Sequence, residues 1–507
     1  MRGQTRLWLP VFGVSLTAFL IRFLVPVPIG QADNRDGPRL MCGLGVQSLT
    51  RGHPRFFRFA YFTYISVKSC AGRRPYPTSE IIPLEVARLL TPVLGLNGTI
   101  NLIALGVVIC ALASVGLASL ATGLRIKLWA RLLIVIVGWL IMADAAFFDV
   151  FASPFSEPAA LVGLLMVSAG LVYLGRGWRQ TVIGLVMAGS GGFLAILAKE
   201  QYLVLGAPIC LAIVLASADR TSPGRGPQRY RTRQTGAAVA VAAVLAVLDA
   251  AYIVWDYTSS YGRRLHQIQA VDMIFQDIVT KHSNAVANLR ALGLPAAWAR
   301  YAGTYYWDRH SVRQSNLLPR YESRLNDFNI MHYLFTHPAS IASIGQTAAI
   351  QAQRLRVTSL GDYAPSAGHP RGTFESRVVV LTWLAHQLPA HLGLWLYIPL
   401  WAAMAAIALV ALYRRSGKPW YRDGAVAVLC MTGCALSAFV PPAYFAGIST
   451  TRHMVGTNLA TALALMLSIG LAASMIYHAL PLARRTPAGP SAEAVEPATP
   501  EMAEPAP

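Results

Sequence analysis

The stretch Thr99-Ile100-Asn101-Leu102-Ile103-Ala104-Leu105-Gly106-Val107-Val108-Ile109-Cys110-Ala111-Leu112-Ala113-Ser114-Val115-Gly116-Leu117-Ala118-Ser119-Leu120-Ala121-Thr122 contains no Asp, Glu, Lys, Arg or His. As a helix it is about 36 Å long, enough to cross a hydrocarbon core about 30 Å thick. Nine further apolar stretches of about 17 to 25 residues read the same way, with cores near 7–28, 128–147, 158–174, 181–197, 201–217, 236–255, 391–413, 424–446 and 453–477. The composition agrees: 55% of the 507 residues are hydrophobic and 13% charged. A soluble domain carries about 25% charged residues, so an ordinary soluble enzyme is excluded. The net charge of +20 does not point to nucleic acid, because the basic residues punctuate apolar runs instead of gathering on one polar face. The fold expected is an all-α membrane protein of about ten transmembrane helices.

Lys and Arg close to a span resist translocation, so the short connections give the orientation. Basic residues occupy the start (Arg2, Arg6), the turn at Arg125, Lys127 and Arg131, the turn at Arg176 and Arg179, and the loop from Arg220 to Arg233. They recur at Arg414, Arg415, Lys418 and Arg422, and at Arg484 and Arg485. Two spans separate each group from the next, which predicts a multi-pass protein of the cell membrane with both termini cytoplasmic. Gly30-Gln31-Ala32 has the small-x-small form of a cleavage site, but the preceding apolar run is longer than a signal peptide needs and favours an anchor.

This topology divides the chain into an N-terminal bundle of seven helices (1–255) with an outer loop at 29–98, an extracytoplasmic insertion (256–390), three C-terminal helices (391–485) and a tail (486–507). The insertion has polar, aromatic and helical stretches and no twenty-residue apolar run, so it is expected to be mainly helical. The tail is Pro, Ala and Glu with almost nothing to bury and reads as disordered and cytoplasmic. Cys110, Cys210, Cys430 and Cys434 fall inside spans and read as small core residues, whereas Cys42 and Cys70 lie in the first outer loop, where an oxidising compartment allows a disulfide.

Ionisable side chains at membrane depth are costly and are functional candidates by default. Arg22, Asp144, Lys199, Glu200, Asp249 and Arg452-His453 all sit at the outer ends of their spans. That asymmetry favours a polar chamber at the outer headgroup level over a charged path through the membrane. The run Gln31-Ala32-Asp33-Asn34-Arg35-Asp36-Gly37-Pro38-Arg39 directly follows the first span, and its carboxylates with interleaved Arg35 and Arg39 offer a general base beside an anion site. Alone, it reads equally as a solvated polar turn. Lys199 and Arg452 are placed to bind either a lipid-linked phosphate or phospholipid headgroups. Asp249 and Arg22 read equally as halves of structural ion pairs. Trp298, Tyr301, Tyr305, Tyr306 and Trp307 suit either a sugar ring or an aromatic core for the insertion.

Four short motifs, Asp33-Asn34-Arg35-Asp36, Phe155-Ser156-Glu157-Pro158, Ala198-Lys199-Glu200-Gln201 and Thr451-Arg452-His453, occur in this order at the outer ends of the spans. Together they resemble bacterial polytopic glycosyltransferases of the GT-C class, especially the glycan-biosynthesis hexosyltransferase-like membrane proteins. The resemblance implies a GT-C-like bundle that takes a sugar from a polyprenyl-phosphate donor and passes it to a glycan or lipid acceptor on the outer face of the membrane. It implies that Asp33 or Asp36 is the catalytic carboxylate. Asn34 and Arg35 separate the two, a departure from the commonest acidic pairs that leaves open which is the base and whether a divalent metal takes part; no metal ligands are assigned.

The chemistry runs in the same direction. Transfer needs a carboxylate to take the acceptor's proton and cations for the departing phosphate. Asp33 and Asp36 supply the first; Arg39, Lys199, Arg452 and His453 supply the second, with Gln201 beside them and Glu157 positioning sugar hydroxyls or Lys199. The alternatives are a lipid-linked glycan transporter or flippase, which needs polar groups near the midplane, and a non-catalytic membrane scaffold, for which the aspartates are dispensable.

Overall fold

The helix Leu102–Gly123 starts where Asn101 accepts the Ile103 amide at 2.9 Å, and it is buried along most of its length. Close packing against the first helix, Arg2–Leu24, depends on Gly106: a Cβ there would stand 2.3 Å from the Phe23 ring. The computed structural model describes residues 2–34, 36–49, 58–68, 76–174, 177–217, 228–280, 283–414, 419–447 and 450–479. Arg35, Cys70, Arg176, Arg415, Lys418, the stretch 220–227 and the tail 486–507 lie outside the described residues. Cys42 is disulfide-bonded.

The all-α membrane architecture holds. Among the described residues, eight helices are long and apolar enough to cross a membrane: Leu7–Leu24, Leu102–Gly123, Trp178–Ile196, Glu200–Ser217, Thr232–Thr258, Leu394–Tyr413, Tyr421–Tyr444 and Val455–Tyr477. A ninth forms if Leu128–Ala143 and Ala145–Ala152, bent by 58°, count as one span. The bend falls at Asp144, which leaves helical geometry and accepts the Ala146 amide at 3.0 Å.

The tenth expected span differs. The Glu157–Leu171 helix has 15 residues, all buried, and is about 22 Å long, shorter than the hydrocarbon core. Protein, not lipid, surrounds it, and an apolar run reads alike under either cover. It packs antiparallel on Trp178–Ile196 with backbones touching: a Cβ on Gly163 would stand 2.6 Å from the Gly191 carbonyl oxygen, and one on Gly170 2.8 Å from that of Gly184. Small residues at such crossings let helices approach closely.

Val46–Ser48, Thr63–Ser66 and Ile100–Asn101 form a small antiparallel sheet in that order. Residues of the insertion have a core of their own around Ile274, Phe275, Trp298, Ile330 and Tyr333. Trp298, Tyr301 and Tyr306 belong to that core, while Tyr305 and Trp307 are exposed. A strap near 360–378 returns to the bundle, where Asp362 and Gly361 carbonyls accept the Gly30 and Ala32 amides at 3.0 and 2.8 Å. Asp144 anchors the following helix, Val380–Gln387, by accepting the Leu381 amide and the Thr382 hydroxyl, each at 2.7 Å.

Candidate active site

The C-terminal end of Arg2–Leu24, the N-terminus of Glu157–Leu171, the end of Trp178–Ile196 and the short helix Thr450–His453 meet at one end of the bundle. Between Asp33 and Gly37 the chain folds tightly. Asp33 Oδ1 accepts the Gly37 amide at 3.0 Å and Asn34 Oδ1 accepts the Asp36 amide at 3.1 Å. Gly37 must be glycine, since a Cβ would lie 2.5 Å from Asp33 Oδ2 and 2.7 Å from Pro154. This turn buries Asp33 and directs Asp36 at Arg452, whose Nη2 donates to Asp36 Oδ2 at 2.5 Å.

Arg452 is the hub. Its Nε lies 3.6 Å from Glu157 Oε1, its guanidinium stacks over Phe155 at 4.8 Å, and its Nη2 is 3.4 Å from His453 Nε2. Lys199 Nζ reaches the same Glu157 oxygen at 3.5 Å, and Gln201 donates to the His453 carbonyl at 3.3 Å. Arg39 closes the other side, 3.8 Å from Asp36 Oδ1 and 6.0 Å from the centre of the Tyr261 ring. Arg452, Glu157 and Lys199 are nearly enclosed, whereas Asp36 and Arg39 are about a third exposed (35% and 36%), so the cluster opens on their side.

Desolvation first, and then the Lys199 and Arg452 charges, hold the His453 imidazole well below its ordinary range, so it is neutral. Asp36 and Glu157 face Arg39, Lys199 and Arg452, and Glu200 lies within electrostatic reach of Lys199 and Asp36. Burial pushes the Asp36 carboxyl up, but Arg452 and Lys199 outweigh it and keep the group ionised well below the usual carboxylate range. Nε and Nη1 of Arg452 are buried and find no hydrogen-bond acceptor among the described residues. A buried guanidinium with idle donors suits a phosphate oxygen.

Of the residues singled out in the sequence, Asp36, Arg39, Glu157, Lys199, Gln201, Arg452 and His453 converge here, and Asp33 shapes the turn that carries Asp36. Arg22, Asp144 and Asp249 lie elsewhere, Asp249 beside Gly206 with its Oδ1 finding no hydrogen-bond donor among the described residues, and so does Asp149 of the bent loop. Arg22 lies 3.4 Å from Glu375, and Asp149 accepts from Arg356 at 2.9 Å. Two participants escaped the sequence reading. Glu80 is fully buried and accepts the Ala159 amide at 2.7 Å, bracing the start of the helix that carries Glu157. Burial pushes its carboxyl well above the ordinary range. Tyr76 lies in the electrostatic reach of Glu157 and Asp36. Glu80 and Glu85 are the only acids between 37 and 98, a signal that a lone carboxylate in a basic loop offers. Among the described residues no three His, Cys, Asp or Glu side chains gather as a metal-binding set.

No curated protein and no solved structure matches the chain. A family model described as the YfdI N-terminal transmembrane domain matches residues 4–480. With nearly the whole length covered and eight helices fit to cross a membrane, this multi-pass membrane protein belongs to the YfdI N-terminal transmembrane domain family.

Proposed function

We propose that the chain is a membrane glycosyltransferase that moves a sugar from a polyprenyl-phosphate donor to a glycan or lipid acceptor at the outer face of the cell membrane. The observation that carries this reading is the Asp36–Arg452–Glu157–Lys199 cluster, an ionised carboxylate beside a cationic hub with unused donors at one end of the bundle. Membership of a transmembrane-domain family and the order of the four motifs support it. Site residues at the ends of membrane helices also suit an amphiphilic donor, whose prenyl tail stays in lipid while its phosphate meets protein.

In this mechanism Arg452 and Lys199 take the donor phosphate. The phosphate competes with Asp36 for the guanidinium and releases the carboxylate from its ion pair. Asp36 then accepts the proton of the acceptor hydroxyl as that oxygen bonds to the anomeric carbon. The bond from that carbon to the phosphate oxygen breaks, and its electron pair leaves on the phosphate, where Arg452 and Lys199 stabilise it. Glu157 holds both cations in place. Asp36 takes the base role over Asp33 because it is the partly exposed carboxylate in the cluster, whereas Asp33 is committed to the Gly37 amide.

The test is purified protein in lipid with polyprenyl-phosphate hexose and an acceptor lipid. Sugar transfer that Asp36→Asn abolishes supports the reading; transfer undiminished in Asp36→Asn removes Asp36 as the base.

A further inference from the structure

The insertion carries an apolar face that its own core leaves uncovered. On the helix Asp327–Thr336, Ile330, Tyr333 and Leu334 are buried, while Phe328, Met331 and Phe335 are exposed, the two phenylalanines by more than three quarters. The exposed residues recur at three- and four-residue spacing, one face of a helix. Arg320 and Arg324, just ahead of this helix, are exposed as well.

The position of this face is fixed by the end of a membrane-crossing helix. On Gln228–Thr258, exposed apolar side chains run from Val239 through Val244, Val247 and Val254 to Tyr257. That stripe is about 27 Å long, close to the thickness of a hydrocarbon core, so Tyr257 stands at the boundary between acyl chains and headgroups. Its hydroxyl donates to Asp327 Oδ2 at 3.3 Å. His266 bridges the same two helices, 2.8 Å from Asp256 and 2.8 Å from Asp327. The residue after Asp327 is Phe328, so the uncovered face begins at the depth where the lipid-facing stripe ends.

We propose that the Asp327–Thr336 helix lies on the membrane with Phe328, Met331 and Phe335 in the headgroup–acyl boundary of the bilayer that the bundle spans, and with Arg320 and Arg324 against anionic headgroups. Amphipathic helices with basic flanks bind such surfaces by apolar burial plus attraction to anionic lipid. The seating reaches the site through the helix Ser260–Met273, which is pinned by His266 to the lipid-seated helix and carries Tyr261 beside Arg39. The proposal does not depend on the sugar-transfer reading.

Single spin labels at Phe335→Cys and, separately, Phe328→Cys in the full chain test it, in nanodiscs of phosphatidylethanolamine and phosphatidylglycerol. The labelled parent supplies the background of the native thiols. Lipid-soluble oxygen is expected to relax both labels more than a water-soluble nickel chelate does. Stronger relaxation by the chelate would place the face in water, and shielding from both would place it against protein, such as a second copy; either overturns the proposal. Both phenylalanines are exposed, so neither substitution removes core packing.

Discussion

Two clusters of buried charge differ in what ties them down and in whether they open to the surface. Arg22, Arg356 and Arg377 meet Asp149, Asp362 and Glu375, three against three, and join the first helix, the bent loop and the strap of the insertion. Backbone groups close this set: Glu375 N donates to Asp362 at 2.8 Å, Arg377 N donates to Glu375 at 2.6 Å, and the Arg22 carbonyl accepts from Arg377 Nη2 at 2.9 Å. The Arg452 cluster is joined almost wholly by side chains and opens on the side of Asp36 and Arg39. Both clusters hold buried guanidinium nitrogens with no hydrogen-bond acceptor among the described residues, Nε and Nη1 on Arg452 and all three on Arg22. The backbone-tied, enclosed cluster fits a fastening of segments; the side-chain cluster with an open side fits the anion site proposed for it.

The contrast breaks most readily at Asp36. Asp36→Asn is expected to lower sugar transfer by about a hundred- to ten-thousand-fold, the range of a general base, while the melting temperature stays near that of the parent. If transfer and melting fall together, the two clusters do not differ in kind. Next in size, Arg356→Ala should destabilise the fold by about 3–5 kcal/mol, because it strands Asp149 and Asp362 in the interior. Denaturant unfolding reads this loss, and transfer per folded molecule is expected to be unchanged. Arg39→Ala removes a partly exposed ion pair worth at most about 1 kcal/mol and should raise the donor KM by no more than about fivefold.

A smaller effect separates the clusters by pH. Burial pushes the Asp362 carboxyl up from 3.8 to about 6, even against the Arg356 charge. A carboxyl raised in the folded state contributes stability that is full below about 3.8 and is lost as pH rises through about 6. The difference in stability between the parent and Asp362→Asn should therefore change between about pH 4 and 6 and level off above. Asp36, held low, contributes stability that is full above about pH 5 and is lost as pH falls below it, so its slope has the opposite sign and is confined to the acid edge of that window.

The sequence made the spans legible because apolar length is a local property. It read 158–174 as a tenth span because burial by lipid and by protein select the same side chains. Lys199, Glu157 and Arg452 stood out because charge at the end of an apolar run needs a reason. The proposed choice of Asp36 over Asp33 rests on the turn made by Asn34 and Gly37, which spacing does not encode. The fastening roles of Asp149 and Asp144 were hidden for another reason: their partners Arg356 and Leu381 lie 207 and 237 positions away. The five aromatics at 298–307 divided between core and surface according to a packing that only the folded insertion defines.

The central claim is that the Arg452 cluster receives an anion and the Arg356 cluster does not. Sugar transfer from polyprenyl-phosphate hexose, measured for Arg452→Gln and Arg356→Gln at equal folded concentration, tests it most directly. The account predicts that Arg452→Gln loses at least about a hundredfold, as when a donor to a developing oxyanion is removed, and that Arg356→Gln transfers at the parental rate. Equal rates in the two variants would contradict it.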